Sequence, residues 1–123
     1  MESILTSVKK SLGITEEYEH FDADIIMHIN SVLATLNQIG VGPSKGFSIS
    51  DSTAKWTDFV PAGSPQYEPV KSYVCLKVRL IFDPPQSSAH IESIKSLISE
   101  FEWRLSITTD IETNSEEVIQ NGD

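Results

Sequence analysis

The stretch Tyr67–Leu105 reads YEPVKSYVCLKVRLIFDPPQSSAHIESIKSLISEFEWRL, and the reading of its two apolar runs decides the fold. In the first run, Val74, Leu76, Val78, Leu80 and Phe82 alternate with Tyr73, Cys75, Lys77, Arg79 and Ile81, close to the period of a half-buried strand. Read as a helix, Val70–Phe82 is apolar nearly all round, with a narrow polar stripe of Lys71, Ser72 and Arg79. Its length exceeds that of a usual strand, and Pro69 stands where a first-turn proline belongs, so both favour helix. Periodicity alone leaves the two open. Asp83-Pro84-Pro85 ends the run, because proline lacks an N–H and pushes its predecessor out of the helical region. Ser87 or Ser88 then caps a final helix to about Ser106. Its residues Ile91, Ile94, Leu97, Ile98, Phe101 and Leu105 form one stripe of roughly 120°. Glu100 and Arg104 make a favourable i, i+4 pair.

Working towards the N-terminus, residues 40–66 read as a long connection. Gly40, Gly42, Pro43 and Gly46 mark one mobile turn, and Pro61, Gly63 and Pro65 another. Between them Asp51–Val60 predicts a short helix, capped by Asp51 or Ser52, with Trp56, Phe59 and Val60 on its apolar face. A structureless connection of this length is unusual inside a compact domain, which suggests a working loop rather than a spacer. The clearest helix is Asp22–Ile39. There Ile25, Ile26, Ile29, Val32, Leu33, Leu36 and Ile39 fall within roughly 140° of the helical wheel, Asp22 is placed to cap, and Gly40 stops the helix. Residues 3–12 predict a short amphipathic helix on Ile4, Leu5, Val8 and Leu12, capped by Ser3 and stopped by Gly13. The fold class expected is all-α: a bundle of four to five helices in one domain, residues 1–109. It carries an ordered-to-mobile loop at 40–66 and a flexible acidic tail at 110–123.

Composition bounds what such a bundle does. The 123 residues suffice for one modest core, and 39% hydrophobic with 22% charged residues is ordinary for a globular protein. No run is long enough to span a bilayer, and Met1-Glu2-Ser3 does not open a signal peptide, so no membrane partner and an intracellular setting are expected. The single cysteine, Cys75, excludes an internal disulfide and a multi-cysteine zinc site. The formal net charge of −9 lacks the basic face that a tight nucleic-acid reader needs to displace counterions from phosphates. Residues 110–123 hold Asp110, Glu112, Glu116, Glu117 and Asp123 and no Lys or Arg.

No catalytic constellation emerges. Glu17 and His20 form one Glu-x-x-His pair, and Asp24 and His28 share a helical face, but a di-metal bundle needs two such motifs plus further carboxylates. Solvated surface charge is the simpler reading. Cys75 reads as a packed thiol, and Gly40–Gly46 lacks the phosphate-loop spacing and reads as a turn. No enzyme activity, metal or cofactor is therefore expected. Trp103 lies opposite the apolar stripe of its helix, among Glu92, Ser96 and Glu100. It either anchors a subunit interface or packs under the chain's own N-terminal helix. Lys77 falls inside an apolar arc. It either pairs with a carboxylate of a neighbouring subunit or lays its stem on apolar surface and sends its ammonium to water. Trp103, Lys77, Tyr73, Arg79 and Trp56 are the candidate interface residues. Asp110, Glu112, Glu116 and Glu117 are the candidate partner-facing acids.

Three stretches carry a family resemblance. They are Phe21–Asn30 (FDADIIMHIN) running into Leu36–Gly42 (LNQIGVG), then Trp56–Phe59 (WTDF), and Lys71–Val74 (KSYV) through Lys77–Pro85 (KVRLIFDPP) to Glu100–Leu105 (EFEWRL). Together they resemble the small head–tail connector, or adaptor, proteins of tailed bacteriophages and prophages, over about Ile4–Ile107. The resemblance implies an all-α bundle, and hence helix for Val70–Phe82. It further implies a homo-oligomeric ring, dodecameric on the portal, that joins the DNA-filled head to the next head-completion or tail protein. Double-stranded DNA would pass through the lumen without sequence-specific binding. The expected location is the virion, after assembly in the host bacterial cytoplasm. The resemblance transfers no catalytic residues. A competing reading from the low pI of about 4.6 is an acidic DNA mimic that inhibits a nucleic-acid enzyme. A third, a metal enzyme on Glu17, His20, Asp24 and His28, rests on the lone motif above.

Overall fold

Tyr67–Phe82 is helical throughout, and the other elements assemble around it. In the computed structural model the backbone is described for residues 2–121 and the side chains for residues 2–107. The helices are α1 (Ile4–Ser11), α2 (Asp22–Gln38), α3 (Trp56–Phe59), α4 (Tyr67–Phe82) and α5 (Ser88–Asn121). No strand occurs among the described residues; the one β-type contact is an isolated bridge between Ser3 and Lys55.

Two-sided burial resolves the ambiguity of the 70–82 run. α4 packs against α1, α2 and α5, so Val70, Tyr73, Val74 and Val78 are buried while Cys75, Leu76 and Leu80 are half-buried. Covering a helix from several directions removes the polar half of its pattern, and the remaining apolar residues then alternate by accident. Pro69 is the third residue of α4, where the missing N–H has no intrahelical acceptor in any case. At the other end the Asp83 N–H closes on the Arg79 carbonyl at 2.9 Å before Pro84 stops the helix.

α2 buries Ile25, Ile29, Val32, Leu33 and Leu36 as its spacing predicts. Asp22, however, is not its cap. Phe21 occupies that position without a side-chain bond, and the Asp22 carboxylate turns to Lys9, 2.8 Å away. A lysine taken out of water requires a counter-charge, and that demand outweighs a capping bond. Lys9 Nζ also donates to the Glu16 carbonyl at 3.0 Å. α1 follows its pattern, with Ser3 accepting from the Thr6 N–H at 3.3 Å and Gly13 at φ +77° beyond its end.

Residues 40–66 are a structural wall rather than a free loop. Val41, Ile49, Trp56, Phe59 and Val60 all enter the core. The Asn30 side chain both donates to the Ile49 carbonyl (3.0 Å) and accepts from its N–H (2.8 Å), and Asn37 donates to the Val41 and Pro43 carbonyls. The expected 51–60 helix is only the four residues of α3. Asp51 is engaged by the Thr53 N–H (2.9 Å), and the Lys55 N–H is taken by the Asp58 carboxylate (2.8 Å), so the first helical residue is Trp56.

The last helix runs past Ser106 to Asn121; no proline or glycine interrupts it before Gly122. The side chains of the acidic segment, including Asp110, Glu112, Glu116 and Glu117, lie outside the described residues.

Candidate subunit-contact surface

The five residues expected at an interface divide sharply. Trp56 and Tyr73 are fully buried within the chain's own core, so neither side chain reaches a neighbour in this fold. Trp56 lies under α1, its indole N–H donating to the Ser7 hydroxyl at 3.0 Å. Tyr73 faces α5. Burial and the nearby Glu102 carboxylate push its phenol up to about 12, and its hydroxyl has no partner in hydrogen-bond geometry.

Lys77 is half-buried, with 30% of its side chain still exposed. It sits 3.6 Å from Glu102 of its own chain, and its ammonium lies 5.6 Å from the centroid of the Tyr73 ring. Tyr73, Lys77 and Glu102 thus form a polar seam between α4 and α5. Arg79 is half-buried one turn beyond Cys75 and enters no ion pair among the described residues.

Trp103 alone is fully available. At 66% it is the most exposed large hydrophobic residue described, on the side of α5 opposite Ile94, Ile98 and Leu105. Packing under its own N-terminal helix is therefore not its role in this structure. The residues that share its face, Glu92, Ser96, Ser99 and Glu100, are also exposed. Arg104 and Lys95 flank them and pair back onto Glu100 and Glu92. An indole that emerges from short hydroxyls and carboxylates is a steric knob with little around it to bury it in the monomer.

A second feature lies between α1 and α4. A groove of about 630 Å³ is lined among others by Thr6, Lys10, Glu68, Lys71, Ser72 and Cys75. Lys71 in its wall pairs with Glu2 (3.3 Å) and Glu68 (3.8 Å). The Cys75 thiol is half-buried, and desolvation pushes it up, away from reactivity. Neither the groove's role nor the buried Lys9 was signalled by the sequence, since both depend on how α1 lies across its neighbours.

The two histidines considered for a metal site lie against aromatic rings. His20 packs edge-on against Phe21 (4.8 Å between centroids), Phe21 against Phe82 (5.5 Å), and His28 leans on Phe82 (6.2 Å). Among the described residues no three His, Cys, Asp or Glu side chains are grouped to hold a metal ion. No helix among them is long and apolar enough to cross a membrane.

The family described as phage connector protein matches residues 4–112, which spans all five helices' packed portions. No curated protein and no solved structure matches the chain. With most of its length matched, the chain belongs to the phage connector protein family, whose members are structural proteins of the head–tail junction.

Proposed function

We propose that this chain is one subunit of a ring that sits under the portal and joins the DNA-filled head to the tail. The observation that carries the reading is Trp103, an exposed tryptophan on a helix face that its own fold leaves bare. A ring needs head-to-tail contacts, so each subunit must present two different faces, and an aromatic anchor is the usual centre of one. Arg79 and the ammonium of Lys77 stand at the edges of α4 as further contact points.

The charge distribution fits a channel. Acids lining a lumen repel phosphates and let duplex DNA slide without sticking, and Asp110, Glu112, Glu116 and Glu117 are the residues proposed for that lining or for a partner surface. The partners are further copies of the chain, twelve on a dodecameric portal, the portal itself, and the next head-completion or tail protein. Assembly takes place in the host bacterial cytoplasm, and the finished position is the virion's head–tail junction. Ring contacts that form only on the portal template would leave the free subunit monomeric.

Native mass measurement at rising concentration, alone and with the portal, tests the reading. Closed multiples of the 13.6 kDa chain are expected, at least with portal present. A chain that stays monomeric and leaves the portal unbound in every condition would overturn it.

A further inference from the structure

The parts of the chain are tied together unequally. Among the described residues 20 hydrophobic side chains are buried; 17 of them belong to residues 4–78, and Ile94, Ile98 and Leu105 of α5 make up the rest. Within residues 2–82, polar bonds cross from element to element. The Ile4 N–H donates to the Ala54 carbonyl (3.0 Å), the Trp56 N–H to the Glu2 carbonyl (3.3 Å) and the Trp56 indole to the Ser7 hydroxyl (3.0 Å). Asn30 holds Ile49 from α2, and Lys9 holds Asp22 from α1. With α4 packed against α1 and α2, these elements and the 40–66 wall form one interlocked body.

α5 is held differently. It lies against α4 and makes no contact of similar extent with α1, α2 or α3. The ion pair across that seam, Lys77 with Glu102 at 3.6 Å, is part-exposed on both sides, and such pairs contribute little. Beneath α5 the Tyr73 hydroxyl is buried without a partner in hydrogen-bond geometry, a desolvation cost that docking incurs and opening relieves. The helix carries its own support: Glu92 pairs with Lys95 and Glu100 with Arg104 along its outer side, so lifting it off α4 breaks neither pair. Its connection to α4 is the largely exposed segment Asp83–Ser87, in which Pro84 and Pro85 have no N–H bond to give up.

We infer that α5 opens from α4 as one unit, swinging on Asp83–Ser87 while residues 2–82 stay folded. What it gives up is the burial of Ile94, Ile98 and Leu105 and the half-buried ring of Phe101, far less than unfolding the body gives up. The swing has reach. A helix of 34 residues is about 50 Å long, so a modest turn at the hinge displaces its far end by on the order of 10 Å. This opening is a property of the free subunit and stands apart from the ring reading above.

Thiol labelling of the full-length free subunit tests this, with every variant built on Cys75→Ser. Ile98→Cys places a reporter on the α5 side of the seam, and Ile29→Cys places the same substitution in the body. Leu105→Cys and Leu36→Cys form a second matched pair, so that one variant failing to fold does not decide the result. Labelling by a monofunctional maleimide is followed at several urea concentrations below the unfolding transition. The α5 sites should label at least tenfold faster than their body partners and with less than half the urea dependence, because opening the seam exposes less surface than unfolding the chain. Equal rates and slopes within each pair would overturn the inference, since α5 would then leave only when everything unfolds. Faster labelling with the steep slope of the body sites would overturn it too, since that marks a globally weakened variant.

Discussion

Lys9 Nζ lies 2.8 Å from Asp22 Oδ1, and the lysine is only 2% exposed. This pair ties α1 to the start of α2, and the Glu16 carbonyl completes the ammonium's surroundings at 3.0 Å. The salt bridge makes a short, eight-residue helix part of the bundle. Removing one partner strands a charge out of water. Lys9→Ala is expected to cost about 2–4 kcal/mol, and Asp22→Ala a similar amount, less whatever solvent reaches the carboxylate. Replacing both, Lys9→Met with Asp22→Leu, should recover most of the loss. Denaturant unfolding of the three variants checks this, and a double variant as unstable as the singles would refute it.

Tyr73→Phe removes a buried hydroxyl that lacks a partner in hydrogen-bond geometry, so it is expected to be neutral or to stabilise by about 1 kcal/mol. The pH dependence has a definite sign. The folded phenol titrates near 12 and the ordinary value is 10.0, so between these the folded state holds the proton that the unfolded state has lost. Stability from this group is therefore complete below about pH 10 and falls as pH rises towards 12. Comparing melting temperatures of the two proteins from pH 8 to 11.5 isolates it. The parent should lose ground to Tyr73→Phe only above pH 10.

The two tryptophans should separate in one experiment. Trp56 is fully buried and its N–H is bonded to Ser7, so Trp56→Ala is expected to cost about 3–5 kcal/mol. Trp103→Ala should change stability by less than about 0.5 kcal/mol. In the free subunit, acrylamide should quench the Trp103 emission that remains in Trp56→Phe strongly, and the Trp56 emission that remains in Trp103→Phe weakly. Equal quenching would contradict the placement of Trp103.

Gly42 and Gly13 both have positive φ, +89° and +77°, yet they differ in surroundings. A Cβ on Gly42 would run into the Phe59 ring, whereas one on Gly13 would meet nothing. Gly13→Ala should cost about 1 kcal/mol of backbone strain alone. Gly42→Ala should exceed that by a further 1–3 kcal/mol of overpacking, because Phe59 is held between Phe47 and the core. Thermal unfolding of the pair checks the order; similar losses would mean that Phe59 yields freely.

Asn30 fixes the wall at 40–66 by two bonds to the Ile49 backbone. Asn30→Ala leaves a half-buried N–H and C=O to find water, at a cost of about 1–3 kcal/mol. Amide exchange should rise at Ile49 and its neighbours before it rises in α2. Unchanged protection there would show that burial of Ile49 alone holds the segment.

What the chain determined by itself is local: where helices begin and end, and which of their faces are apolar. Ser3 and Gly13 bracket α1, the isoleucines and leucines of α2 declare its buried side, and Asp83-Pro84-Pro85 separates α4 from α5. These follow from capping, periodicity and the chemistry of proline, all of which act within a few residues. That Trp103 lies opposite the apolar stripe was legible for the same reason, because it depends only on the 100° step of one helix, whereas the sequence left open whether α1 would cover it. Tertiary structure decided the rest. Whether Val70–Phe82 is helix or strand was ambiguous because burial from several directions erases amphipathic pattern, and only α1, α2 and α5 supply those directions. Asp22 looked like a cap until Lys9 was brought beside it. Trp56 and Tyr73 stood as candidates for a subunit interface, and it is α1 over Trp56 and α5 over Tyr73 that bury them within the chain. The groove exists only where α1 crosses α4. Contacts between residues far apart in sequence leave no mark in local spacing, so knob and helix were readable in the chain, but the groove and the buried charge were not.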